Sequence, residues 1–423
     1  MKTILAGALT VGALLFASPA VLAATLTVCA QHCSSTTIQG AVDLAAAGDT
    51  VDVGPGTYVE NVVVDRPLTL QGAGSESVLL PAVSNPSCSG GSLCGGAAST
   101  LILVEADDVT ITGLLLEGDN PGLKSGVMVR GADVDARNGI ITNHLLGVYQ
   151  RLTVSEVDVR DVYLRGIYAS SGGSFTFTDN RVANVEGDPS SVAIFNYGGS
   201  GLISGNTVTH ASDAISSNGS TGTRYLGNVV RLSGSGVHTD NNGWFGGAGD
   251  VIRGNTVEDC TLDGYGLWTF APYLEATFAH NRVHGCSVGL AAFGSSASTT
   301  TTFLDNTVDG AGATRSPGQA SLGAWVSTTL FTYGFAPVSA SFRGNRIERF
   351  DTGVLVDQTA GAAATASLHG DTIDGNETGA NGLPGTTVDA ALDWWGCAAG
   401  PGHKGCDTAT GTVDFTPWLT AKP

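Results

Sequence analysis

The stretch Phe177-Thr178-Asp179-Asn180-Arg181-Val182 returns as Ile203-Ser204-Gly205-Asn206-Thr207-Val208. The same spacing of an apolar residue, an asparagine and a Val or Ile then continues down the chain. The recurring asparagines, which we call the ladder, are 22 to 27 residues apart. One interval of 39 residues is longer because it carries an insertion around residues 316–337. Such a repeat is too short for the commoner helical repeats and suits three short strands joined by turns. The recurring residues are Asn180, Asn206, Asn228, Asn255, Asn281, Asn306 and Asn345, continued by Asp371.

Asparagine suits a stacked turn for two reasons. It tolerates the left-handed backbone conformation, and identical side chains on successive turns can hydrogen-bond to one another. A second column supports the repeat: a small residue and an aliphatic one follow about nine positions later, as at Gly236-Val237 and Gly289-Leu290. We therefore predict that residues 24–423 form one all-β domain, a single-stranded right-handed parallel β-helix (β-solenoid) with about 25 residues per coil.

The ends of such a stack need caps, because the first and last coils would otherwise expose strand edges. Residues 37–47 predict a short amphipathic helix with Thr36 or Thr37 at its N-cap, inside an N-terminal cap of residues 36–48. Residues 389–423 are the predicted C-terminal cap, because they concentrate apolar rings that can cover the last coil. These are Trp394, Trp395, Phe415 and Trp418.

The first residues have the pattern of an export signal. Lys2 precedes an apolar run from Ile4 to Phe16, and Pro19 and the cleavage site Val21-Leu22-Ala23 follow, so we predict a signal peptide over residues 1–23. No later stretch is apolar enough to span a membrane. The formal charge of −19 argues against nucleic acid and anionic membranes as partners. We expect a secreted or periplasmic monomer.

Eight cysteines fall into four neighbouring couples. An even count in an exported chain favours disulfides, and none of the couples has the spacing of a zinc site. Cys260 and Cys286 each follow a ladder asparagine by five residues, which places them in one column on adjacent coils. The predicted disulfides are Cys29–Cys33, Cys88–Cys94, Cys260–Cys286 and Cys397–Cys406.

Two segments carry a family resemblance. Residues 37–80, with Ala-Gly-Asp-Thr-Val-Asp-Val-Gly-Pro-Gly-Thr-Tyr and Leu-Thr-Leu-Gln-Gly, resemble the start of many secreted proteins of the pectin-lyase-like superfamily. The ending Asp-Trp-Trp-Gly-Cys-Ala-Ala-Gly-Pro-Gly is similar to the close of many β-helix repeat proteins. The resemblance implies the fold and a catalytic face on the first sheet. It does not imply one activity, because the superfamily holds lyases, hydrolases, epimerases and proteins without known chemistry.

The alternation of strand residues predicts which side chains face outward. One outward face combines aromatic rings with Arg, His and Asp, a combination that suits an elongated groove for a polysaccharide. In the alternative interpretation, loops such as residues 241–249 cover these rings as a minor core. The outward pairs are Met128 and Arg130, Tyr149 and Arg151, Tyr168 and Ser170, Phe195 and Tyr197, Ser216 and Asn218, His238 and Asp240, Trp268 and Phe270.

The first predicted reaction is β-elimination on a uronate polysaccharide, which needs a cation for the carboxylate and a base for the proton. His238, Tyr168 or Tyr197 is the expected base, and the favoured site surrounds the stretch from His238 to Trp244. The predicted catalytic residues are Arg165, Tyr168, His238 and Asp240, with Arg130 and Arg151 as further candidates for the cation. The predicted substrate-binding residues are Arg130, Tyr149, Arg151, Phe195, Tyr197, Trp244 and Trp268.

Two other functions stay open. A glycoside hydrolase needs two carboxylates, which Asp213, Asp240, Asp250 and Asp263 could supply. The motifs typical of polygalacturonases, common pectate lyases and alginate epimerases are missing. A non-catalytic glycan-binding or surface protein is the second alternative. No cofactor is expected, although the oxygens of Asp240, Asn241 and Asp263 make calcium an option.

Overall fold

The computed structural model describes residues 23–241, 247–270, 274–294, 299–329 and 334–423. The predicted signal peptide lies outside this part of the chain except for Ala23. The described chain is a parallel β-helix: most coils contribute one strand to a 13-stranded sheet and two strands to a 25-stranded sheet. In the described residues, no helix is long and apolar enough to cross a membrane.

The 13-stranded sheet is parallel throughout, and each strand pairs with those of the coils before and after it. Its strands are Val62–Val64, Thr100–Val104, Asn138–Thr142, Arg165–Ala169, Val192–Tyr197, Asp213–Asn218, Ser235–Asp240, Tyr265–Thr269, Val288–Phe293, Leu322–Ser327, Thr352–Asp357, Thr378–Gly382 and Ala409–Gly411.

The 25-stranded sheet bends at the ladder asparagines, so most of its strands lie either before or after that turn. Those before it are Thr25–Val28, Thr50–Val53, Thr69–Leu80, Thr110–Glu117, Leu152–Ser155, Ser174–Thr178, Ser200–Ser204, Arg224–Leu226, Asp250–Arg253, Ala276–Ala279, Thr301–Leu304, Val338–Arg343, Ala364–His369, Thr387–Asp389 and Val413–Asp414. Those after it are Gly56–Val59, Asp158–Arg160, Arg181–Val185, Thr207–Ala211, Val229–Arg231, Thr256–Glu258, Arg282–His284, Thr307–Asp309, Arg346–Glu348 and Thr372–Asp374.

Three shorter elements complete the fold. The helix Ile38–Leu44 begins after Thr37, whose hydroxyl accepts a hydrogen bond from the amide of Gly40 as an N-cap. Its apolar side is buried against the first coil. A 3₁₀ turn spans Cys94–Gly96, and a small antiparallel hairpin joins Met128–Val129 to Ala132–Asp133.

The ladder asparagines are buried and bonded to one another along the axis. The Oδ1 atom of Asn228 accepts from both the amide N and the Nδ2 of Asn206, each at 3.0 Å. Asn228 repeats this arrangement with Asn255, and its Nδ2 also donates to the carbonyl of Ile203 at 3.0 Å. Because every rung satisfies the polar groups of the turn beside it, the ladder sets the register from coil to coil.

The left-handed residue of each turn is not the asparagine itself. The residue immediately before it has positive φ, as at Asp179 (58°) and Gly205 (67°), whereas none of the ladder asparagines does. The expectation that Asn would adopt this conformation is therefore wrong. The reason is that the asparagine side chain must point along the axis, so the preceding Gly, Asp or His takes the sharp bend.

The core is one apolar column along the axis, lined by the inward residues of all sheets. Phe278, Phe303 and Phe342 stack on one another, with ring centroids 5.1 and 4.8 Å apart. Trp395 is fully buried at the C-terminal end, where Phe415 and Trp418 pack against the core. All four predicted disulfides are present, and Cys260–Cys286 links adjacent coils as the repeat predicts.

Removal of one rung tests how much the ladder contributes to stability. Asn255→Ala removes the partners of Asn228 and Asn281 and leaves buried polar groups without hydrogen bonds. We expect the free energy of unfolding to fall by about 2–5 kcal/mol, measured by urea denaturation. Arg253→Ala, at an exposed position of the same coil, is the matched control. Equal stability of the two variants would contradict a stabilising ladder.

The ladder ends in two carboxyl groups rather than asparagines. Asp371 accepts from the amide N of Asn345 at 2.6 Å, and Asp393 accepts from the amide N of Asp371 at 2.7 Å. Burial, the largest cause, raises the pKa of Asp371 to about 7 and that of Asp393 to about 9. The negative charge on Asp371 raises the pKa of Asp393 further.

These raised pKa values predict how stability depends on pH. In the unfolded chain both carboxyl groups have a pKa near 3.9, so the folded state holds its protons more tightly. This contribution is complete below about pH 4 and is lost as the pH rises through 7 and 9. We expect the double variant Asp371→Asn, Asp393→Asn to reduce the fall in melting temperature between pH 5 and 9, to which Asp240, with its own raised pKa, also contributes. An unchanged pH profile would contradict the assignment.

Candidate active site on the outer face of the 13-stranded sheet

The outer face of the 13-stranded sheet carries one central column of side chains in register. His238 pairs with Ser216 on one side and with Trp268 on the other. The predicted alignment of the outward residues from Tyr168 to Trp268 is therefore confirmed. The column also extends to Ile141 on one side and to Leu355 on the other. Its members are Ile141, Tyr168, Phe195, Ser216, His238, Trp268, Ala291, Trp325 and Leu355.

A loop covers the N-terminal part of this column. Leu93, from the segment between Leu80 and Thr100, packs with Tyr168 and Phe195 in a minor hydrophobic core. The two rings stack at 4.7 Å and are each 6% exposed. The alternative in which loops cover the rings therefore describes this part of the face. Tyr168 and Phe195 do not offer a surface for sugar stacking here, because their ring faces are already occupied.

Arg165 lies beside these two rings. Its guanidinium carbon is 4.8 Å from the centroid of Phe195 and 5.8 Å from that of Tyr168. The guanidinium donates to the Ser190 carbonyl at 2.5 Å and to the Ser92 hydroxyl at 3.3 Å. Burial lowers the pKa of Arg165 to about 10, so the group still carries its charge at neutral pH.

His238 occupies the centre of the face between a hydroxyl, a carboxylate and a ring. Its Nε2 is 3.1 Å from the Oγ of Ser216, and its Nδ1 is 3.0 Å from Oδ2 of Asp213. The contact between Nδ1 of His238 and Oδ2 of Asp213 has the distance of an ion pair, but its atoms are not aligned for a hydrogen bond. The imidazole stacks on Trp268 with centroids 4.1 Å apart. Asp213 thus favours a proton on Nδ1, which leaves Nε2 as the basic atom.

Asp240 lies two residues beyond His238 on the same face. It accepts a hydrogen bond from the amide of Gly219, and burial raises its pKa to about 7. Asp250 is fully buried and accepts from the hydroxyls of Ser220 and Thr239, which orients it away from solvent. Burial raises the pKa of Asp250 as well. These two carboxyl groups therefore do not form an open pair across a groove.

A cleft of about 490 Å³ opens on the C-terminal part of the same face. One wall comes from the insertion after Asp309, whose Ser316 donates through both its amide and its hydroxyl to Asp263. The floor is aromatic and apolar, and the rim is polar. The lining residues are Asp263, Tyr265, Ser287, Val288, Ser316, Gln319, Ala320, Leu322, Trp325 and Leu355.

Three predicted substrate-binding residues do not lie in the outer column, because the early coils depart from the repeat. Arg130 lies in the Met128–Asp133 hairpin, an insertion outside the coils, and its Nη1 is 3.4 Å from Glu186. Tyr149 lies in the connection after the sheet strand, and Arg151 forms a two-point ion pair with Asp108. The residue that actually precedes Tyr168 in the outer column is Ile141.

The remaining predicted residues lie in several different environments. Tyr197 lies on the outer face and is 41% exposed. Trp268 is half-buried, with its Nε1 donating to Ser235 at 2.8 Å. Trp244 lies outside the described residues. Asn241 is buried, and its side chain holds Leu274 and Glu275 of the following loop. Within the described chain, no group of three or more His, Cys, Asp or Glu is arranged to hold a metal ion.

The outward register of the sequence extends past Phe270 to the cleft. Trp325 is the outward aromatic residue two coils after Trp268, and the same alternation points to it. No comparable alternation in the sequence points to the polar residues of the cleft. Asp263 and Ser316 are 53 residues apart and meet only because the insertion folds back over the earlier coil.

The comparisons with known proteins agree with this architecture. Residues 165–333 match the family model described as the right handed beta helix region. No curated protein matches the sequence. The chain therefore has the right-handed parallel β-helix fold.

Solved structures show the same fold at low identity. The A-module of a mannuronan C-5 epimerase from Azotobacter vinelandii has a TM-score of 0.56 at 19% identity, covering 83% of this chain and 94% of that one. The catalytic unit of a GH87 α-1,3-glucanase from Streptomyces thermodiastaticus has a TM-score of 0.52 at 16% identity, covering 91% and 67%. A family 28 exopolygalacturonase from Yersinia enterocolitica has a TM-score of 0.54 at 10% identity, covering 90% and 74%.

The covering loop is held by a buried arginine, which gives a direct test of its closure. Arg137 donates to the carbonyls of Pro86, Gly91 and Ser92 at 2.6 to 3.1 Å. We expect Arg137→Ala to leave three carbonyls without partners and to release the loop, so that limited proteolysis within residues 82–98 is faster. Lys124→Ala is the surface control. Unchanged cleavage in Arg137→Ala would show that the loop does not depend on this side chain.

Proposed function

We propose that the protein is an extracellular enzyme that acts on a polysaccharide bound along the outer face of the 13-stranded sheet. The observation that carries this proposal is the cleft at Tyr265 and Trp325, in line with His238 on the same face. The solved structures with this fold include a mannuronan epimerase, an α-1,3-glucanase and an exopolygalacturonase, whose names all refer to polysaccharides. They support the substrate class, not one reaction.

The chemistry of the cleft suits a sugar. Tyr265 and Trp325 are both half-buried, so each retains exposed ring surface on which the C–H face of a pyranose can stack. Asp263 and Gln319 are exposed at the cleft, where a carboxylate and an amide group can exchange hydrogen bonds with the hydroxyl groups of a sugar.

For the reaction, we propose that His238 is the catalytic base. Its Nδ1 faces Asp213, so Nε2 can accept a proton, and Trp268 holds the ring plane. β-Elimination on a uronate remains the first reaction to test, with the charged Arg165 as the group that would neutralise the carboxylate. Glycoside hydrolysis has less support, because Asp250 is oriented into the interior and Asp263 is bonded to Ser316.

Loss of a cleft ring tests the binding part of the proposal. We expect Trp325→Ala to weaken binding of a recognised polysaccharide by about 1–3 kcal/mol, because it removes a stacking surface. Affinity electrophoresis against alginate, pectate and α-glucans measures the effect. Tyr58→Phe, far from the cleft in the first coils, serves as the control. Equal retardation of Trp325→Ala and wild type would contradict a sugar site in the cleft.

Absorbance near 235 nm tests elimination, because each cleavage creates an unsaturated uronate. Incubation with uronate polysaccharides should give a signal that His238→Ala abolishes and Arg165→Ala reduces by about 100-fold or more. Circular dichroism and melting temperature control for folding. Wild-type protein that binds the polysaccharide but forms neither unsaturated products nor new reducing ends would rule out chain cleavage, leaving a non-cleaving enzyme or a glycan-binding protein.

A further inference from the structure

We infer that Ser216, His238 and Asp213 form a nucleophile, a base and an orienting acid, and that this site removes small ester-linked acyl groups from a carbohydrate. The inference rests on the proposed function only in naming a carbohydrate as the alcohol part of the ester. The acyl-transfer chemistry itself is argued from the three side chains and their surroundings.

The three side chains meet because of the coil register. Ser216 and His238 are strand partners on adjacent coils, and both point outward from the sheet. The Oγ of Ser216 lies 3.1 Å from Nε2 of His238, within the range of a nucleophile and its base. Asp213, three residues before Ser216 on the same strand, has its Oδ2 3.0 Å from Nδ1 of His238. This order of contacts defines a serine hydrolase triad, which is recognised by geometry rather than by sequence order.

The contacts around His238 agree with a catalytic base and not only with a packing residue. Nδ1 is buried 3.0 Å from Oδ2 of Asp213, although this contact lacks the alignment of a hydrogen bond. Stacking on Trp268, with ring centroids 4.1 Å apart, restrains rotation of the imidazole about its Cβ–Cγ bond. Both features favour an imidazole that can gain and lose a proton while staying in position.

The reaction has two steps, acylation of Ser216 and hydrolysis of the acyl-serine. Ser216 Oγ attacks the acyl carbonyl while Nε2 of His238 takes the hydroxyl proton, and Asp213 stabilises the imidazolium. The bond between the acyl carbon and the sugar oxygen breaks, and the sugar leaves as an alcohol with the proton from Nε2. Water, activated by His238, then hydrolyses the acyl-serine to a carboxylic acid and free Ser216. No oxidant, reductant or metal is required.

The surroundings limit the size of the acyl group. Ser216 is 1% exposed, whereas the side chains of His238 and Asp213 are 10% and 17% exposed, so access is from their side. A nucleophile at this depth favours a small acyl group such as acetyl over a long chain. Arg165 lies 4.8 Å from the ring centroid of Phe195, the strand partner of Ser216, and interacts electrostatically with Asp213.

Acetate release and covalent labelling test the inference together. Wild-type protein is incubated with p-nitrophenyl acetate and with acetylated alginate, acetylated xylan and acetylated pectin, and also with a fluorophosphonate probe followed by peptide mass spectrometry. We expect acetate release and a label on Ser216. Ser216→Ala and His238→Ala should each lower the rate of release by about 100-fold or more, and Asp213→Asn by a smaller factor. Ser216→Cys should keep measurable esterase activity, because a thiol can replace the hydroxyl as nucleophile.

Arg253→Ala, at an exposed position of the 25-stranded sheet, is the control and should keep full activity. Melting temperatures check that the variants fold. The inference is overturned if Ser216→Ala releases acetate at the wild-type rate, or if wild-type protein neither releases acetate nor labels at Ser216. Retained binding of a polysaccharide in the second case would leave the proposed function intact, whereas acetate release without any polysaccharide binding would contradict the proposed function alone.

Discussion

The asparagine ladder is the interaction on which the rest of the molecule depends. Each buried Oδ1 accepts two hydrogen bonds from the neighbouring rung, so a coil displaced by one residue would lose these bonds and bury unpaired amides. A slip of one residue would also turn every side chain of a strand to the opposite face. The ladder therefore determines both the core and the composition of the outer faces.

The candidate site follows from that register. Ser216, His238 and Trp268 are outward residues of three successive coils, and parallel pairing places them about 4.8 Å apart from strand to strand. Their contact needs no special loop. The loops decide a different property, which is access. One loop closes over Tyr168 and Phe195, while the insertion after Asp309 leaves a cleft beside Trp325.

The regular coils were the predictable part of both fold and site. The disulfide couples and the outer column from Tyr168 to Trp268 follow from periodicity, because stacked coils convert spacing in sequence into proximity. Predictions were wrong where the chain leaves the repeat. Arg130 lies in the hairpin Met128–Asp133, and Arg151 lies in the connection after the strand Asn138–Thr142, so neither residue is part of the outer column. His238 was predicted by its outward position, but its partners Asp213 and Ser216 were not assigned to it.

By itself, the sequence determined the parallel β-helix, the position of its rungs and the face on which polar and aromatic residues collect, since these depend on local periodicity and on pairing between adjacent coils. Only the tertiary structure decided which rings are covered, which carboxyl groups point inward and which three side chains meet around His238. These depend on contacts between loops and coils far apart in the chain, such as Asp263 with Ser316 and Arg137 with Pro86. No repeat encodes such contacts, because each is made once.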